Sequence, residues 1–205
     1  MIIEDKPRII ASIEARMGSS RLPGKMLSQI GDKIVIQHLV DRLRECNTLD
    51  DIVIATTEKE IDNELVDWAE NYGVKCFRGS EDDVLQRVID ANSFMRAEVI
   101  VEITGDCPFT DPEVVDIGVS TFLANDCDYL TNCEKVSAVP GLYVQVFRLE
   151  NLKEIFIGNN NDEGKKNLTL KLLNFIKENF DENSNQDKKQ ELLIIFLEYF
   201  KIKKQ

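Results

Sequence analysis

Residues 8–25 read Arg8-Ile-Ile-Ala-Ser-Ile-Glu-Ala-Arg-Met-Gly-Ser-Ser-Arg-Leu-Pro-Gly-Lys25. The stretch opens with an apolar run typical of a buried strand and passes directly into a glycine-bearing basic loop. Short β-branched runs of this kind alternate with helical patterns over the first 135 residues. Alternation of near-continuous apolar strands with helices predicts an α/β fold, in which helices cover both faces of a parallel sheet.

The predicted elements place the candidate site. Predicted strands span residues 8–13, 51–56, 74–77 and 98–104, and predicted helices span residues 34–46, 61–72 and 82–95. A further helix begins at Asp111, with Pro112 at its first position. Ligands of such sheets bind beyond the carboxyl ends of the strands. The residues that follow Ile13, Phe77 and Ile103 are therefore the candidates for function.

The composition argues against a protein that binds nucleic-acid polymers or membranes. The chain has 205 residues, 43% of them hydrophobic, and a net charge of −12. An acidic surface argues against binding of a nucleic-acid polymer or of a membrane surface. No stretch approaches the ~18 apolar residues of a spanning helix, and Glu4 and Asp5 stand where a signal peptide carries its basic region. We expect a cytoplasmic protein.

The composition changes near residue 158, which suggests two segments, residues 1–157 and 158–205. The net acidity lies in the first segment, and the second is near neutral and rich in Lys and Asn. Leu168, Leu172 and Phe175 share one helical face in the second segment. It is predicted to be a helical extension that packs on the sheet or, alternatively, forms an interface in a homodimer.

Cysteine and histidine offer little chemistry. The five cysteines are scattered, without any Cys-x-x-Cys pair: Cys46, Cys76, Cys107, Cys127 and Cys133. Most of them are predicted to be small apolar core residues. His38 is the single histidine of the sequence. It and Trp68 are predicted to have packing or capping roles in helices.

The loop after the first strand reverses the charge of its surroundings. Between Ala15 and Gly31 there are three basic residues and no acidic one. These cations, Arg16, Arg21 and Lys25, can neutralise phosphate oxygens. Gly18 and Gly24 allow a close backbone approach, and Ser19 adds a hydroxyl group. The pattern predicts a triphosphate cradle, although its spacing is not that of a Walker loop; the alternative is an ordinary basic surface loop.

Three blocks of sequence resemble one enzyme family. They are Glu14-Ala-Arg-Met-Gly-Ser-Ser-Arg-Leu-Pro-Gly-Lys25, Phe77-Arg-Gly-Ser-Glu-Asp-Asp-Val-Leu-Gln-Arg87 and Thr104-Gly-Asp-Cys-Pro-Phe-Thr-Asp-Pro-Glu113. The order and the motifs resemble the acylneuraminate and deoxy-manno-octulosonate cytidylyltransferase superfamily, nearest its spore coat polysaccharide biosynthesis protein F group. The resemblance implies a Rossmann-like, mostly parallel sheet of the nucleotide-diphospho-sugar transferase type.

The resemblance also implies roles for individual residues. Arg16 and Lys25 would bind the triphosphate of CTP and act in catalysis, with Gly18, Ser19 and Arg21 in the same loop. Arg78 and Ser80 would lie beside the cytosine and ribose, and Asp106 would bind Mg²⁺. The alternatives are a capping or turn role for Asp106 and a surface ion pair of Arg78 with Glu81 or Asp82. Asp111 is predicted to be an N-cap.

One block departs from the family pattern. Residues 140–147 read Pro-Gly-Leu-Tyr-Val-Gln-Val-Phe, where relatives carry Asp-Gly-Leu-Asp-Val-Glu-Val-Phe. Pro140, Tyr143 and Gln145 thus replace three acids, one of them a metal ligand in relatives. The later Glu-His-Val-Thr-Pro motif of relatives also has no counterpart after residue 150.

The resemblance therefore implies a Mg²⁺-dependent cytidylyltransferase. It would transfer CMP from CTP to an acidic sugar for surface polysaccharide synthesis and release pyrophosphate. The altered block favours an alternative, a degenerate nucleotide-binding protein without turnover. A third possibility, a glycosyltransferase that uses a nucleotide sugar, fits less well because a basic triphosphate loop suits a nucleoside triphosphate better.

Overall fold

The computed structural model describes residues 6–19, 21–125, 127–132 and 141–159. The strands are β1 (Ile9–Glu14), β2 (Gln29–Ile30), β3 (Lys33–Ile34), β4 (Asp51–Thr57), β5 (Lys75–Gly79), β6 (Val99–Thr104), β7 (Tyr129–Thr131) and β8 (Gln145–Arg148). The helices are α1 (Val35–Arg44), α2 (Asn63–Tyr72), α3 (Val84–Phe94), α4 (Pro112–Ala124) and α5 (Leu149–Asn159).

Six strands form one mostly parallel sheet, in the order β5-β4-β1-β6-β8-β7. The first four of these run parallel, whereas β8 and β7 are antiparallel to their neighbours. From β1 the chain builds outward to β4 and β5 on one side, then crosses to β6 on the other. The carboxyl ends of β1 and β6 therefore flank the point where the strand order reverses, which is where ligands of doubly wound sheets bind.

The predicted elements of residues 8–104 are confirmed, with boundaries that differ by at most two residues. The helix predicted to begin at Asp111 is α4, and the Asp111 carboxylate caps it by accepting a 2.9 Å hydrogen bond from the Glu113 backbone N–H. The β2–β3 hairpin and the short antiparallel strands β7 and β8 were not predicted by the alternation.

Apolar side chains fill both faces of the sheet. Along β1, Ile9, Ala11 and Ile13 point to the layer of α1, α2 and α4, whereas Ile10 points to the layer of α3 and α5. All four are fully buried. Burial of each isoleucine contributes about 1.5–3 kcal/mol. The two-sided core confirms the prediction of helices on both faces and fixes β1 at the centre of the molecule.

The residues predicted to serve in packing do so. Burial raises the pKa of both Cys46 and Cys76 to about 12, so these thiols stay protonated near neutral pH. The His38 ring lies 2.8 Å from a backbone carbonyl of β2 and beside Phe109. Trp68 packs on the core and stacks on a neighbouring tyrosine of α2 with a ring-centroid distance of 4.8 Å.

The proposed boundary at residue 157 falls within α5, and residues 160–205 lie outside the described residues, as does Cys133. The predicted helical extension and its alternative as a homodimer interface therefore stay predictions. No helix within the described residues has the length and apolar character needed to cross a membrane.

Candidate functional site

The basic loop after β1 is folded around one buried residue. The carbonyl oxygen of Met17 accepts backbone hydrogen bonds from Ser19 at 2.8 Å and from Gly24 at 2.9 Å. Gly24 has a φ of 73°, in the left-handed region that glycine adopts without strain. This turn directs Lys25 back toward the sheet. Gly18 is exposed, with nothing within 4 Å of the place where its Cβ would be, and Arg21 is exposed too.

A buried carboxylate ties this loop to the neighbouring strand. One oxygen of Asp62 accepts a 2.6 Å hydrogen bond from the Met17 backbone N–H, and the other accepts the hydroxyl hydrogen bond of Thr57 at the end of β4. Asp62 is only 1% exposed. The loop after β1 and the carboxyl end of β4 are thereby held as one unit.

Lys25 and Asp106 meet at the switch point between β1 and β6. The Lys25 ammonium group donates to the Asp106 carboxylate at 2.5 Å. The residue before this aspartate, Gly105, donates a 2.9 Å backbone hydrogen bond to the carbonyl of Glu14. A Cβ at Gly105 would lie 2.9 Å from the side chain of Met26. Only glycine therefore lets the two loops approach so closely.

The Asp106 carboxyl is ionised at neutral pH. Its partial burial works to raise its pKa, but hydrogen bonds, first that from Lys25, outweigh the burial and bring the net pKa below the ordinary value. The side chain keeps 47% of its surface exposed. A half-exposed carboxylate, already paired with a cation, faces the solvent where a ligand would enter.

Arg16 shares an acidic partner with a lysine. Its guanidinium lies 3.3 Å from the first carboxylate oxygen of Glu81, and the Lys59 ammonium contacts the second oxygen. Arg16 follows β1, Lys59 follows β4 and Glu81 follows β5. The carboxyl ends of three adjacent strands thus bring two cations and one anion together.

Arg78 is held by the loop after β4. Its guanidinium donates to the carbonyl oxygens of Thr57 at 3.1 Å and Lys59 at 2.9 Å, and to the side-chain oxygen of Asn63 at 2.8 Å. Arg78 makes these hydrogen bonds and no ion pair with Glu81 or Asp82 among the described residues. The alternative prediction of such an ion pair was therefore wrong. Arg78 fixes the backbone of this loop.

The two serines predicted for the site stabilise local turns. The Ser19 hydroxyl oxygen accepts from the Leu22 backbone N–H at 3.3 Å, and the Ser80 hydroxyl oxygen accepts from the Asp83 backbone N–H at 3.0 Å. Ser80 also lines a cleft of about 730 Å³, together with Lys59, Arg78 and Glu81. The cleft is broadly open to solvent, and neither Lys25 nor Asp106 lines it.

The sequence analysis predicted no site role for four charged residues that shape the site: Lys59, Asp62, Glu81 and Arg87. Arg87, on α3, is 1% exposed and donates to the Ser80 carbonyl and, at 3.1 Å, to Glu14. Glu81 and Arg87 lie in the second block quoted for the resemblance, and Glu81 was considered as a partner of Arg78, but neither was given a role in the site. Their roles depend on contacts between distant segments, and no local pattern distinguishes them from solvated surface charges.

Comparison with known proteins settles the family. The family model described as "Cytidylyltransferase" matches residues 10–184. The chain belongs to the cytidylyltransferase family. The implied family resemblance and the Rossmann-like fold are thereby confirmed. The matched residues include all but the first residue of β1, the basic loop after it and the carboxyl ends of β4, β5 and β6.

Individual relatives match part of the chain. An uncharacterized protein of Methanocaldococcus jannaschii, MJ1063, is 42% identical over 147 residues, which is 72% of this chain and 59% of that protein. The spore coat polysaccharide biosynthesis protein SpsF of Bacillus subtilis is 39% identical over 125 residues, 59% of this chain and 52% of SpsF. The chain thus spans little more than half the length of these relatives.

Solved structures agree with the fold. A cytidylyltransferase from Leptospira borgpetersenii superimposes with a TM-score of 0.70 at 36% identity, over 73% of this chain and 64% of that one. A CMP:2-keto-3-deoxy-manno-octonic acid synthetase complexed with CTP has a TM-score of 0.61 at 17% identity, over 83% of this chain and 86% of that one. At such low identity the second likeness concerns the fold alone.

The described residues of this member of the cytidylyltransferase family could bind a metal ion only together with other ligands. Among the described residues no group of three or more Asp, Glu, His or Cys side chains could enclose a metal. Mg²⁺ commonly binds through one or two carboxylates together with substrate phosphates and water. Asp106, ionised and half exposed, fits that mode as a single protein ligand.

Residues 141–147 of the altered block lie on the β6 side of the site, and Pro140 lies outside the described residues. Gln145 begins β8 and pairs with Glu102 of β6, and its side-chain oxygen accepts a 2.8 Å hydrogen bond from the Tyr129 hydroxyl. Tyr143 precedes β8 by two residues and is partly buried. Since β8 runs antiparallel to β6, its beginning lies toward the carboxyl end of β6, on the side of Asp106.

Proposed function

We propose that this protein is a Mg²⁺-dependent cytidylyltransferase that transfers CMP from CTP to an acidic sugar of the sialic or octulosonic type, for surface polysaccharide synthesis. The observation that carries the proposal is the meeting of Lys25 with Asp106 at the switch point of the sheet. A phosphate-binding cation and a carboxylate suited to a metal lie side by side there, in a member of the cytidylyltransferase family.

In the proposed complex the cradle loop binds the triphosphate. Lys25 and Arg16 contact phosphate oxygens, and the loop residues Gly18, Ser19 and Arg21 line the approach. Ser80 and the anchored Arg78 border the cleft beside the nucleoside. The acidic sugar enters from the side of β6 and β8. These assignments agree with the charge of the loop and with the order of the family's motifs.

The reaction requires no nucleophilic side chain. The anomeric hydroxyl oxygen of the sugar forms a bond to the α-phosphorus, and the bond from that phosphorus to the bridging oxygen of the β-phosphate breaks. Pyrophosphate leaves with the bond electrons, and the hydroxyl proton passes to solvent. Lys25 and Arg16 stabilise the charge that develops on the phosphate oxygens. Positioning supplies much of the remaining rate.

Magnesium, held by Asp106 and the phosphates, would act as a Lewis acid that withdraws charge from the phosphate oxygens. Before the metal binds, Lys25 keeps the Asp106 carboxylate ionised and oriented. On binding of CTP, the Lys25 ammonium can turn from the carboxylate to a phosphate oxygen.

A CTP-dependent assay of pyrophosphate release tests the proposal, with a panel of sialic and octulosonic acids in the presence and absence of Mg²⁺. We expect release only with CTP, metal and one class of sugar acid. Release with no member of the panel would contradict transfer to these acceptors. Release of free nucleotide from a nucleotide sugar would indicate a glycosyltransferase instead.

Tyr143 and Gln145 favour a second candidate function, that of a nucleotide-binding family member without turnover. Neither a phenol nor an amide replaces a carboxylate ligand of Mg²⁺ at neutral pH, and Gln145 is engaged with Tyr129. Calorimetry with CTP distinguishes this candidate, since it predicts metal-dependent binding with no pyrophosphate release for any acceptor.

A further inference from the structure

The Glu81 carboxylate bridges two cations at the mouth of the cleft. Arg16 approaches one of its oxygens at 3.3 Å, and Lys59 contacts the other. The hydrogen bond to Glu81 is the first cause that raises the pKa of the Lys59 ammonium group above its ordinary value. The three charges come from three different loops, after β1, β4 and β5, so the sheet itself brings them together.

The backbones of this cluster are fixed, whereas the side chains are partly exposed. The Arg78 guanidinium donates a 2.9 Å hydrogen bond to the Lys59 carbonyl oxygen. The buried Arg87 donates one to the carbonyl oxygen of Ser80, which precedes Glu81. The side chain of Lys59 is 60% exposed and that of Glu81 24%. Anchored backbones with solvent-facing charged ends allow an ion pair to exchange partners without a change in the fold.

Two cations that converge on both oxygens of one anion form a site that also suits a phosphate group. A phosphate presents more oxygens than a carboxylate and carries more charge, and lysine and arginine are its usual partners. The Arg16 side of the cluster continues into the basic loop that carries Lys25. The two cations therefore extend the cradle toward β4.

We propose that Lys59 is a further phosphate-binding residue of the nucleotide site and that Glu81 is its internal counter-ion, which the triphosphate displaces from Lys59 and Arg16. The inference rests on the proposed function in assigning the triphosphate to the loop after β1. Displacement exchanges one anion for another, so the cations remain paired in both states. Glu81 thereby lowers the affinity for phosphates and rejects weakly charged ligands.

Calorimetric titrations of wild type, Glu81→Gln, Lys59→Gln and the double variant test the inference. The ligands are CTP, inorganic tripolyphosphate and cytidine. Partly exposed pairs of this kind are worth up to about 1 kcal/mol, so we expect Glu81→Gln to bind CTP and tripolyphosphate about three- to fivefold more tightly. Lys59→Gln should weaken both by a similar factor. The affinity for cytidine, which has no phosphate, should be unchanged in every variant.

The double variant measures the coupling directly. If Glu81 restrains Lys59, the loss of Lys59 should cost more affinity in the Glu81→Gln background than in wild type. Both single effects should shrink at higher salt, because exposed charges are screened. Glu70→Gln and Lys75→Gln are the matched controls, since they change the same charges at exposed positions toward the opposite end of the sheet.

The outcomes separate the inference from the proposed function. If wild type binds CTP but Glu81→Gln and Lys59→Gln behave as their controls do, the inference alone is overturned. If CTP does not bind but tripolyphosphate binds with the predicted changes, the inference stands and the proposed function fails. If neither ligand binds wild type or Glu81→Gln, both are overturned. Equal changes with cytidine and CTP would also overturn the inference, since they would indicate a general disturbance of the cleft.

Discussion

The two sides of the sheet's carboxyl edge bring together different groups. On the side of β1, β4 and β5, Arg16, Lys59 and Arg78 converge and are anchored by hydrogen bonds or ion pairs. On the side of β6 and β8, Asp106 is followed by Tyr143 and Gln145, where the resemblance in the sequence implied acids. The first side is equipped for a phosphate-bearing ligand, and the second has fewer groups for the acceptor and metal. Binding and turnover are therefore expected to be separable in this protein.

The largest effect should come from Lys25→Ala. The change removes a cation that we propose binds phosphate, and it leaves Asp106 without its 2.5 Å partner. We expect CTP binding, measured by calorimetry, to weaken by about 1.5–3 kcal/mol, the scale of a charge-assisted hydrogen bond. Arg16→Ala should act in the same direction, because its guanidinium lies in the same loop.

The control for this measurement is Lys75→Ala, which removes an exposed lysine at the start of β5, at the far end of the strand from the cleft. Unchanged CTP affinity in Lys25→Ala would contradict the role of the cradle. A loss of equal size in Lys75→Ala would attribute the effect to overall charge.

The next largest effect should come from Gly105→Ala, which tests the close approach of the loops after β1 and β6. In Gly105→Ala the new Cβ would meet Ala15 and Met26 at 2.9 Å. Overpacking of this kind costs about 1–3 kcal/mol, so urea-induced unfolding should show a free energy of unfolding lower by that amount. The matched control is Gly18→Ala, whose Cβ would meet nothing within 4 Å. Equal stability of Gly105→Ala and wild type would show that the loops approach less closely than the structure indicates.

The strands, the helices and the basic loop could be predicted from the sequence because their patterns lie within short, continuous stretches. The apolar run from Ile9 to Ile13 marks the central strand, and the charge reversal around Arg16 and Lys25 marks the cradle. The placement of Asp106 follows from its position after a predicted strand. These features were expected at one edge of the sheet, where Lys25 and Asp106 indeed meet.

The remaining features depend on contacts between distant segments. Glu81 and Arg16 are 65 positions apart, and Arg87 and Glu14 are 73 apart. No periodicity reveals which of many charges will pair across such distances. The sequence suggested that Arg78 lies beside the nucleoside or forms a surface ion pair, but it did not show that Arg78 donates hydrogen bonds to the loop after β4. Short strands such as β7 are formed only when a neighbouring strand accepts their hydrogen bonds.

A smaller effect is expected from Asp106→Asn. The amide cannot replace the carboxylate as a metal ligand, so the Mg²⁺-dependent gain in CTP affinity should disappear while metal-free binding persists. Because the pKa of Asp106 lies below its ordinary value, the group is ionised near neutral pH in wild type, and the metal effect should be constant there. It should decline only in acid, as the carboxyl takes up its proton.

Calorimetry with and without Mg²⁺ checks this expectation, and circular dichroism verifies the fold. Asp111→Asn serves as the control, since Asp111 caps α4 and an asparagine also caps well. Retention of the full metal effect in Asp106→Asn would assign the metal to another ligand.

The smallest expected effect concerns the acceptor side, in Tyr143→Asp. An aspartate there, on the β8 side of Asp106, would restore the residue type of the family pattern and offer a second oxygen ligand to fix the metal against the α-phosphate. We expect pyrophosphate release to rise by a modest factor while CTP affinity stays near that of wild type. The gain is limited, because Gln145 also departs from the family pattern and remains bound to Tyr129; Tyr143→Asp with Gln145→Glu should therefore release more than the single variant.

Tyr143→Phe is the control, since it removes the hydroxyl group and adds no ligand. Rapid turnover by wild type that survives Tyr143→Phe would contradict the view that the missing carboxylate limits the reaction, and another residue would then have taken over its role. Unchanged CTP binding without turnover in wild type and in the restored variants would place the defect in the acceptor site itself. In that case the two sides of the sheet's edge differ in function: the cradle still binds a nucleotide, whereas the β6–β8 side no longer brings a sugar hydroxyl to the α-phosphorus.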